Sequence, residues 1–546
     1  MQYQSVTNTV KRMKIKLTKG VFIMKKKNIT LICALAMAMT LTACGQSSQT
    51  STNKAESTTV AEASTTETTA DNETADTEND SESSKVEAQT GGSGINSDDK
   101  KAEAPDGQTP PDKPDGAEGE NGQGTPPDKP DGDGQGGPGG GSFGGSGEVT
   151  QGNSANTIDS DGTYSSETYS STGDDENALR VDGATVTLDG ITVDKSAGSS
   201  SNTEDGDFYG MNAALLATDK ATVTIKNANV SSSAQNGNGV FSYGSGTTVN
   251  ISDSTITTTA DNSGGIQTTG GGTTNASNLT VTTSGNSSAA IRSDRGGGTV
   301  NVDGGTYTSN GYNSPAVYST ADITVKNAEL TANNSEALVI EGENSIALEN
   351  CTVYGNMSDT KGSSSDENVH NVMIYQSMSG DAEVGTSSFS MTGGSLTSNN
   401  GDMFYITNTN CTLSLTGVKL TNKDSDGYLL NVTGNSASHG WGSAGSNGAQ
   451  VTFTSNNQTL TGDIRVDSIS TLDMTLSKNS TFTGTVNVVD NEDGGTAVSD
   501  NAVITIENGS TWNLTGNCVI SSLTNNGTIN FNGYTITLAD GTVLSE

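Results

Sequence analysis

Arg292 and Asp294 stand two residues apart in Ile291-Arg292-Ser293-Asp294-Arg295, directly after the apolar Ile291. On a strand, positions two apart share a face, so the guanidinium and the carboxylate are set side by side. Matching stretches are Val240-Phe241-Ser242-Tyr243, Ile266-Gln267-Thr268-Thr269 and Val317-Tyr318-Ser319-Thr320. A small residue (Gly239, Gly265, Ala290 or Ala316) precedes each one. Val240, Ile266, Ile291 and Val317 then point inward, and Phe241, Gln267, Arg292 and Tyr318 outward. Strands stacked about 4.8 Å apart would gather Phe241, Tyr243, Gln267, Arg292, Asp294 and Tyr318 into one patch, with Arg295 at its edge. Aromatic faces, an amide and an Arg–Asp pair suit a sugar or a uronate, since arginine receives carboxylates bidentately. The plainer alternative is a solvated ladder with a local Arg292–Asp294 pair.

Other chemistry is sparser. Asn422-x-Asp424-x-Asp426-Gly427 matches the opening of a calcium loop, although Thr433 stands where the closing glutamate belongs. Calcium is therefore the one cofactor the sequence suggests, at Asn422, Asp424 and Asp426. Further acidic clusters are Glu204, Asp205 and Asp207, and Asp490, Glu492 and Asp493. His370 and His439 fall in apparent insertions and read as solvated loop residues. No nucleophile motif, zinc-ligand spacing or phosphate loop occurs.

The patch requires stacked strands, and the repeat supplies them. In Ala321-Asp322-Ile323-Thr324-Val325-Lys326-Asn327-Ala328-Glu329-Leu330, Ile323 and Val325 share a face, and Asn327 reads as a left-handed corner before a second strand. With Val325 as position zero, the equivalents are Leu188, Ile225, Ile251, Ala276, Val302, Leu348, Met391 and Leu415. Their corners are Gly190, Asn227, Asp253, Asn278, Gly304, Asn350, Gly393 and Gly417. The residues five positions on are Val193, Val230, Ile256, Val281, Tyr307, Leu330, Val353, Leu396 and Leu420, all apolar. From Val302 to Val325 to Leu348 the step is 23 each time, and from Ile225 to Ile251 it is 26. Periods of roughly 20 to 29 residues mean solenoid coils. The frame is not that of a leucine-rich repeat, and packed antiparallel hairpins would not explain a coil-length period. The expected fold is all-β: a single-stranded right-handed parallel β-helix over 148–546, with Thr157 to Thr172 as an N-terminal cap. Insertions at 194–210, 355–371, 433–448 and 489–500 are where a rigid scaffold would carry binding loops.

On its corner residues, the coil region resembles the pectate-lyase-like right-handed β-helix superfamily. That resemblance implies polysaccharide lyases, hydrolases, adhesins and non-catalytic carbohydrate binders as functional classes. In lyases of this kind an arginine acts as base beside calcium held by acidic residues. Arg292 has no such carboxylate cluster in its column on adjacent coils, which speaks against lyase chemistry there. A few dozen residues around Ser510-Thr511-Trp512-Asn513-Leu514 resemble autotransporter passengers.

The N-terminal part reads differently. Lys25, Lys26 and Lys27 precede an apolar run from Ile29 to Leu41, and Leu41-Thr42-Ala43-Cys44 resembles a bacterial lipobox. Residues 1–43 are read as a signal peptide with an over-extended start, the true start being Met24. Cys44 is the expected lipidated residue, which implies an exported lipoprotein anchored at the bacterial cell surface. Residues 44–147 lack apolar periodicity and repeat Thr-Pro-Pro-Asp-Lys-Pro-Asp-Gly at Thr109 and Thr125. This composition predicts a disordered linker, a stalk of about 50–60 Å root-mean-square span.

The segment before Cys44 holds 8 basic and no acidic residues, so the remainder carries 18 basic against 63 acidic. That balance excludes nucleic acid as a partner, because phosphate neutralisation needs Lys and Arg. Cys351 occupies a small coil position and is expected to be a buried filler. Together these features predict a surface lipoprotein that binds polysaccharide or host glycan without turnover. The alternatives are a polysaccharide lyase or glycoside hydrolase, or a purely structural surface protein.

Overall fold

The computed structural model describes residues 149–358 and 368–546, which belong to one compact unit. Cys44, the signal segment 1–43 and the linker 44–147 lie outside the described residues, as does much of the insertion at 355–371.

The chain winds as a parallel β-helix. A 16-stranded sheet, here the front sheet, runs from Thr157–Ile158 to Val543–Leu544. A 22-stranded sheet carries the other two faces of most coils, and a 4-stranded sheet replaces its third face near the C-terminus. All pairings are parallel except the last, where Ile536–Leu538 meets Val543–Leu544 antiparallel.

The sequence alignment of the repeats is also their spatial register. Leu188, Ile225, Ile251, Ala276, Val302, Val325, Leu348, Met391 and Leu415 pair in succession as one inward ladder. Val193 through Leu420 form the second ladder in the same order. Each coil adds a few Val, Ile or Leu side chains to one continuous core, and each contributes about 1.5–3 kcal/mol when fully buried. No coil could bury them alone.

The corners explain the Asn and Gly positions. Asn227, Asp253, Asn278, Asn327 and Asn350 all have φ between 49 and 55°, and Gly304 has φ 75°. A left-handed residue turns the strand sharply, which β-branched residues resist. Neighbouring corners are also stitched together: Asn327 Nδ2 donates to Asp303 Oδ1 at 2.7 Å, and Asn278 Nδ2 to Asp253 Oδ1 at 2.7 Å. At the corner entering the front sheet, a buried hydroxyl ladder does the same. Ser263, Ser288, Ser314 and Ser335 each accept from a backbone N–H of the preceding coil, at 2.9–3.0 Å.

One expectation is corrected. Thr157 to Thr172 is a short first coil, since Gly162–Ser165 and Thr168–Ser171 pair with the next coil. After Phe453 the corner lengthens, and the third face separates into its own sheet, with Phe482 stacked on Trp512 at 5.7 Å in the core. Cys351, Cys411 and Cys518 are free and buried.

Candidate functional site

Every large insertion borders the front sheet. The segments at 194–210 and 355–371 lead into its strands Leu215–Thr218 and His370–Tyr375. Those at 433–448 and 489–500 leave its strands Leu430–Val432 and Val486–Val489. The outward column of this sheet therefore runs between two rows of loops.

The column contains the stacking expected from the sequence. Phe241, Gln267, Arg292 and Tyr318 are consecutive register partners. It continues through Val339, Met373, Tyr405, Asn431 and Arg465.

The expected open patch is nevertheless largely covered. Phe241 and Gln267 are fully buried. The cover is a helix at Thr203–Tyr209, capped at its start by Asn202 and ended by Gly210 at φ 81°. A Cβ at Gly210 would fall 2.7 Å from Leu216 and 3.1 Å from the Phe241 ring, so only glycine lets the helix end settle there. Gln267 Nε2 donates to the Asp207 carbonyl and Thr269 Oγ1 to the Phe208 carbonyl, both at 2.6 Å. Tyr243 meets Tyr209 edge-on at 5.6 Å. Glu204 and Asp205 lie in the helix's first turn.

Arg292 pairs with Asp294 at 2.8 Å, as its spacing suggests, but also with Asp207 of the helix at 3.1 Å. Burial alone would lower the Arg292 pKa, but the two carboxylates outweigh it and raise it. Burial raises both acids, Asp294 to about 7, with Arg292 opposing the rise. Arg295 pairs with Asp381 at 2.7 Å and lies 4.0 Å over the Phe208 ring. Tyr318 donates to Glu341 at 2.5 Å, and Tyr375 donates to the same carboxylate at 3.0 Å. What stays open beside Arg292 is a cavity of about 250 Å³, bordered by Asp207, Phe208, Asp294, Tyr318 and Asp381.

A larger cavity, about 410 Å³, opens further along the same column. Tyr405, Asn431 and Arg465 form its floor, and Asp402, Tyr428 and Asn435 are among its walls. Asn431 connects the two charged groups: its Nδ2 donates to Asp402 Oδ2 at 2.8 Å, and its Oδ1 accepts from Arg465 at 3.2 Å. Asp402 also accepts from Asn368 Nδ2 at 2.6 Å and from the Tyr428 N–H at 2.8 Å. Burial pushes its pKa up to about 6, against the opposing pull of these donors. Buried Asp467 holds the wall in place, accepting from Thr433 Oγ1 at 3.0 Å, the Gly434 N–H at 2.7 Å and Asn491 Nδ2 at 2.5 Å.

Asn422, Asp424 and Asp426 come together, with Asp424 and Asp426 at the rim of this larger cavity. The oxygens of the first two are engaged by backbone: Asn422 Oδ1 accepts the Asp424 N–H at 3.0 Å, and Asp424 accepts those of Gly401 at 2.9 Å and Asp426 at 3.0 Å. These bonds hold the Asp424 pKa below its ordinary value. Among the described residues, no group of three or more His, Cys, Asp or Glu is arranged to hold a metal ion.

His370 is not a solvated loop residue. It begins a front-sheet strand, is buried, and stacks on Tyr405 at 5.2 Å, and burial lowers its pKa. His439 is exposed at the tip of its insertion and stacks on Trp441.

Extending the outward column would have found part of the larger cavity. Leu430-Asn431-Val432 and Ile464-Arg465-Val466 repeat the apolar-then-polar step of Ile291-Arg292 closely enough to align. Asp402, Tyr428 and Asn435 carry no such signal. Comparison of the chain with models of known protein families and with the sequences of characterised proteins finds no match.

Proposed function

We propose that this chain is a cell-surface lipoprotein of the pectate-lyase-like superfamily, anchored through Cys44, whose β-helix binds polysaccharide or host glycan. The observation carrying this reading is the cavity of about 410 Å³ on the front sheet. Saccharides present hydroxyls in planar arrays along an apolar ring face. The cavity offers a carboxylate, amides and a guanidinium on fixed strands, with Tyr405 and Tyr428 beside them. Its donors and acceptors are preorganised by Asn431 and Asp467, which lowers the ordering cost of binding.

The lipobox-like Leu41-Thr42-Ala43-Cys44 and the linker that follows support display at the membrane surface. Metabolic labelling with an alkyne fatty acid tests the anchor: Cys44→Ala abolishes incorporation if Cys44 is the acylated residue. Binding is tested by retention of the purified chain on immobilised glycans. Tyr428→Ala and Arg465→Gln should each weaken retention about tenfold while leaving the circular dichroism spectrum unchanged. Unchanged retention in both would remove the cavity from the proposal.

A second reading, a polysaccharide lyase or glycoside hydrolase, is favoured by one observation. Asp402, with its pKa raised to about 6, sits in the cavity within one amide of Arg465. A carboxyl poised there suits proton transfer near neutral pH. New reducing ends or unsaturated products, lost in Asp402→Asn, would decide for it.

A further inference from the structure

We infer that the larger front-sheet cavity takes a saccharide free of acidic groups and rejects uronates. This rests on the carbohydrate-binding reading and narrows it.

Recognition of a uronate carboxylate calls for an unengaged guanidinium or ammonium. The described residues contain four arginines, Arg180, Arg292, Arg295 and Arg465, all on the front-sheet side. Each is already engaged. Arg180 donates to the carbonyls of Gln151 at 2.7 Å and Gly152 at 2.9 Å. Arg292 is taken by Asp207 and Asp294, and Arg295 by Asp381. Arg465 donates to Asn431 and Thr433 at 3.2 Å and to Glu492 at 3.4 Å.

The charge around the cavity points the same way. Arg465 is the one cation among its lining residues, against Asp402, Asp424, Asp426, Glu492 and Asp493. A carboxylate entering this cavity would have to displace a native partner and face several like charges. Neutral hydroxyls meet no such penalty, since carboxylates and amide oxygens are acceptors for them. An amine-bearing sugar would add attraction. The excess negative charge of the whole chain reinforces this at low ionic strength.

The test uses the full chain and β-linked hexamers of glucose, glucosamine and galacturonic acid, with affinities measured at low and at physiological salt. The glucose hexamer is expected to bind at least about tenfold more tightly than the galacturonate hexamer. The glucosamine hexamer should bind at least as tightly as glucose, its advantage shrinking as salt rises. Asp426→Asn with Glu492→Gln removes two exposed carboxylates without touching the core, and should narrow the glucose-over-galacturonate ratio at least about threefold.

Galacturonate bound as tightly as glucose, or more so, would overturn the inference while leaving carbohydrate binding intact. So would glucosamine bound more weakly than glucose, or a ratio unmoved by the double substitution. Failure of all three hexamers to bind, together with failure of a wider glycan panel, would overturn both readings.

Discussion

Arg292 on the front sheet and Asp207 in the inserted helix, 85 positions apart in the chain, form an ion pair of 3.1 Å. Their side chains are only 11% and 13% exposed. The pair fixes the helix over the outward column, and its near-complete desolvation makes its loss expensive.

Arg292→Ala leaves Asp207 and Asp294 buried without their cation. The expected loss is about 3–5 kcal/mol at pH 8, read by chemical denaturation of the full chain. Both acids already have raised pKa values, Asp294 to about 7. At pH 5 they can protonate, so the loss there should be markedly smaller. A loss that is equal at both pH values would contradict this account.

Arg295 and Asp381 provide the contrast. At 35% and 24% exposure, this pair is partly screened by water, and such pairs are worth about 0–1 kcal/mol. Asp381→Ala should therefore cost less than about 1 kcal/mol in the same assay. A cost near that of Arg292→Ala would mean that the loop at Asp381 anchors the fold.

Asn327 tests the corners. Its φ of 52° is left-handed, a conformation that costs an L-residue roughly 1–2 kcal/mol. Asn327→Val should destabilise by at least that much, because β-branching adds a clash. Asn327→Gly should cost clearly less, losing mainly the bond to Asp303. Equal losses, measured by equilibrium unfolding, would show that the corner is not under conformational demand.

Asp402 makes stability depend on pH. Its folded pKa of about 6 lies above the ordinary value of 3.8, so between these values the folded state holds more protons than the unfolded one. Stability therefore falls as pH rises through this window, by roughly 2–3 kcal/mol in total. Asp402→Asn removes this term. Comparing the variant with the parent at pH 4 and pH 7.5 should show the parent losing ground at the higher pH. A difference that does not change with pH would mean that Asp402 titrates as an ordinary carboxyl.

The repeat itself is legible in the order of the residues. An Asn, Asp or Gly two residues after an apolar pair, and an apolar residue three further on, are local demands of a turn and two half-buried faces. They recur because every coil meets the same neighbours. Aligning Val302, Val325 and Leu348 in the sequence therefore aligned them in space, and Phe241, Gln267, Arg292 and Tyr318 became neighbours for the same reason. What covers that column was decided by the tertiary structure. The helix at Thr203–Tyr209 reaches Gln267 and Arg292 across 60 and 85 positions, through contacts that no periodicity encodes. The larger cavity arose likewise: Asp402, Asn431 and Arg465 lie on three successive coils, but only the folded loops around them leave a space there. Short-range backbone preferences repeat along a chain and can be read from it. The packing of an insertion depends on one particular surface and has no repeat to reveal it.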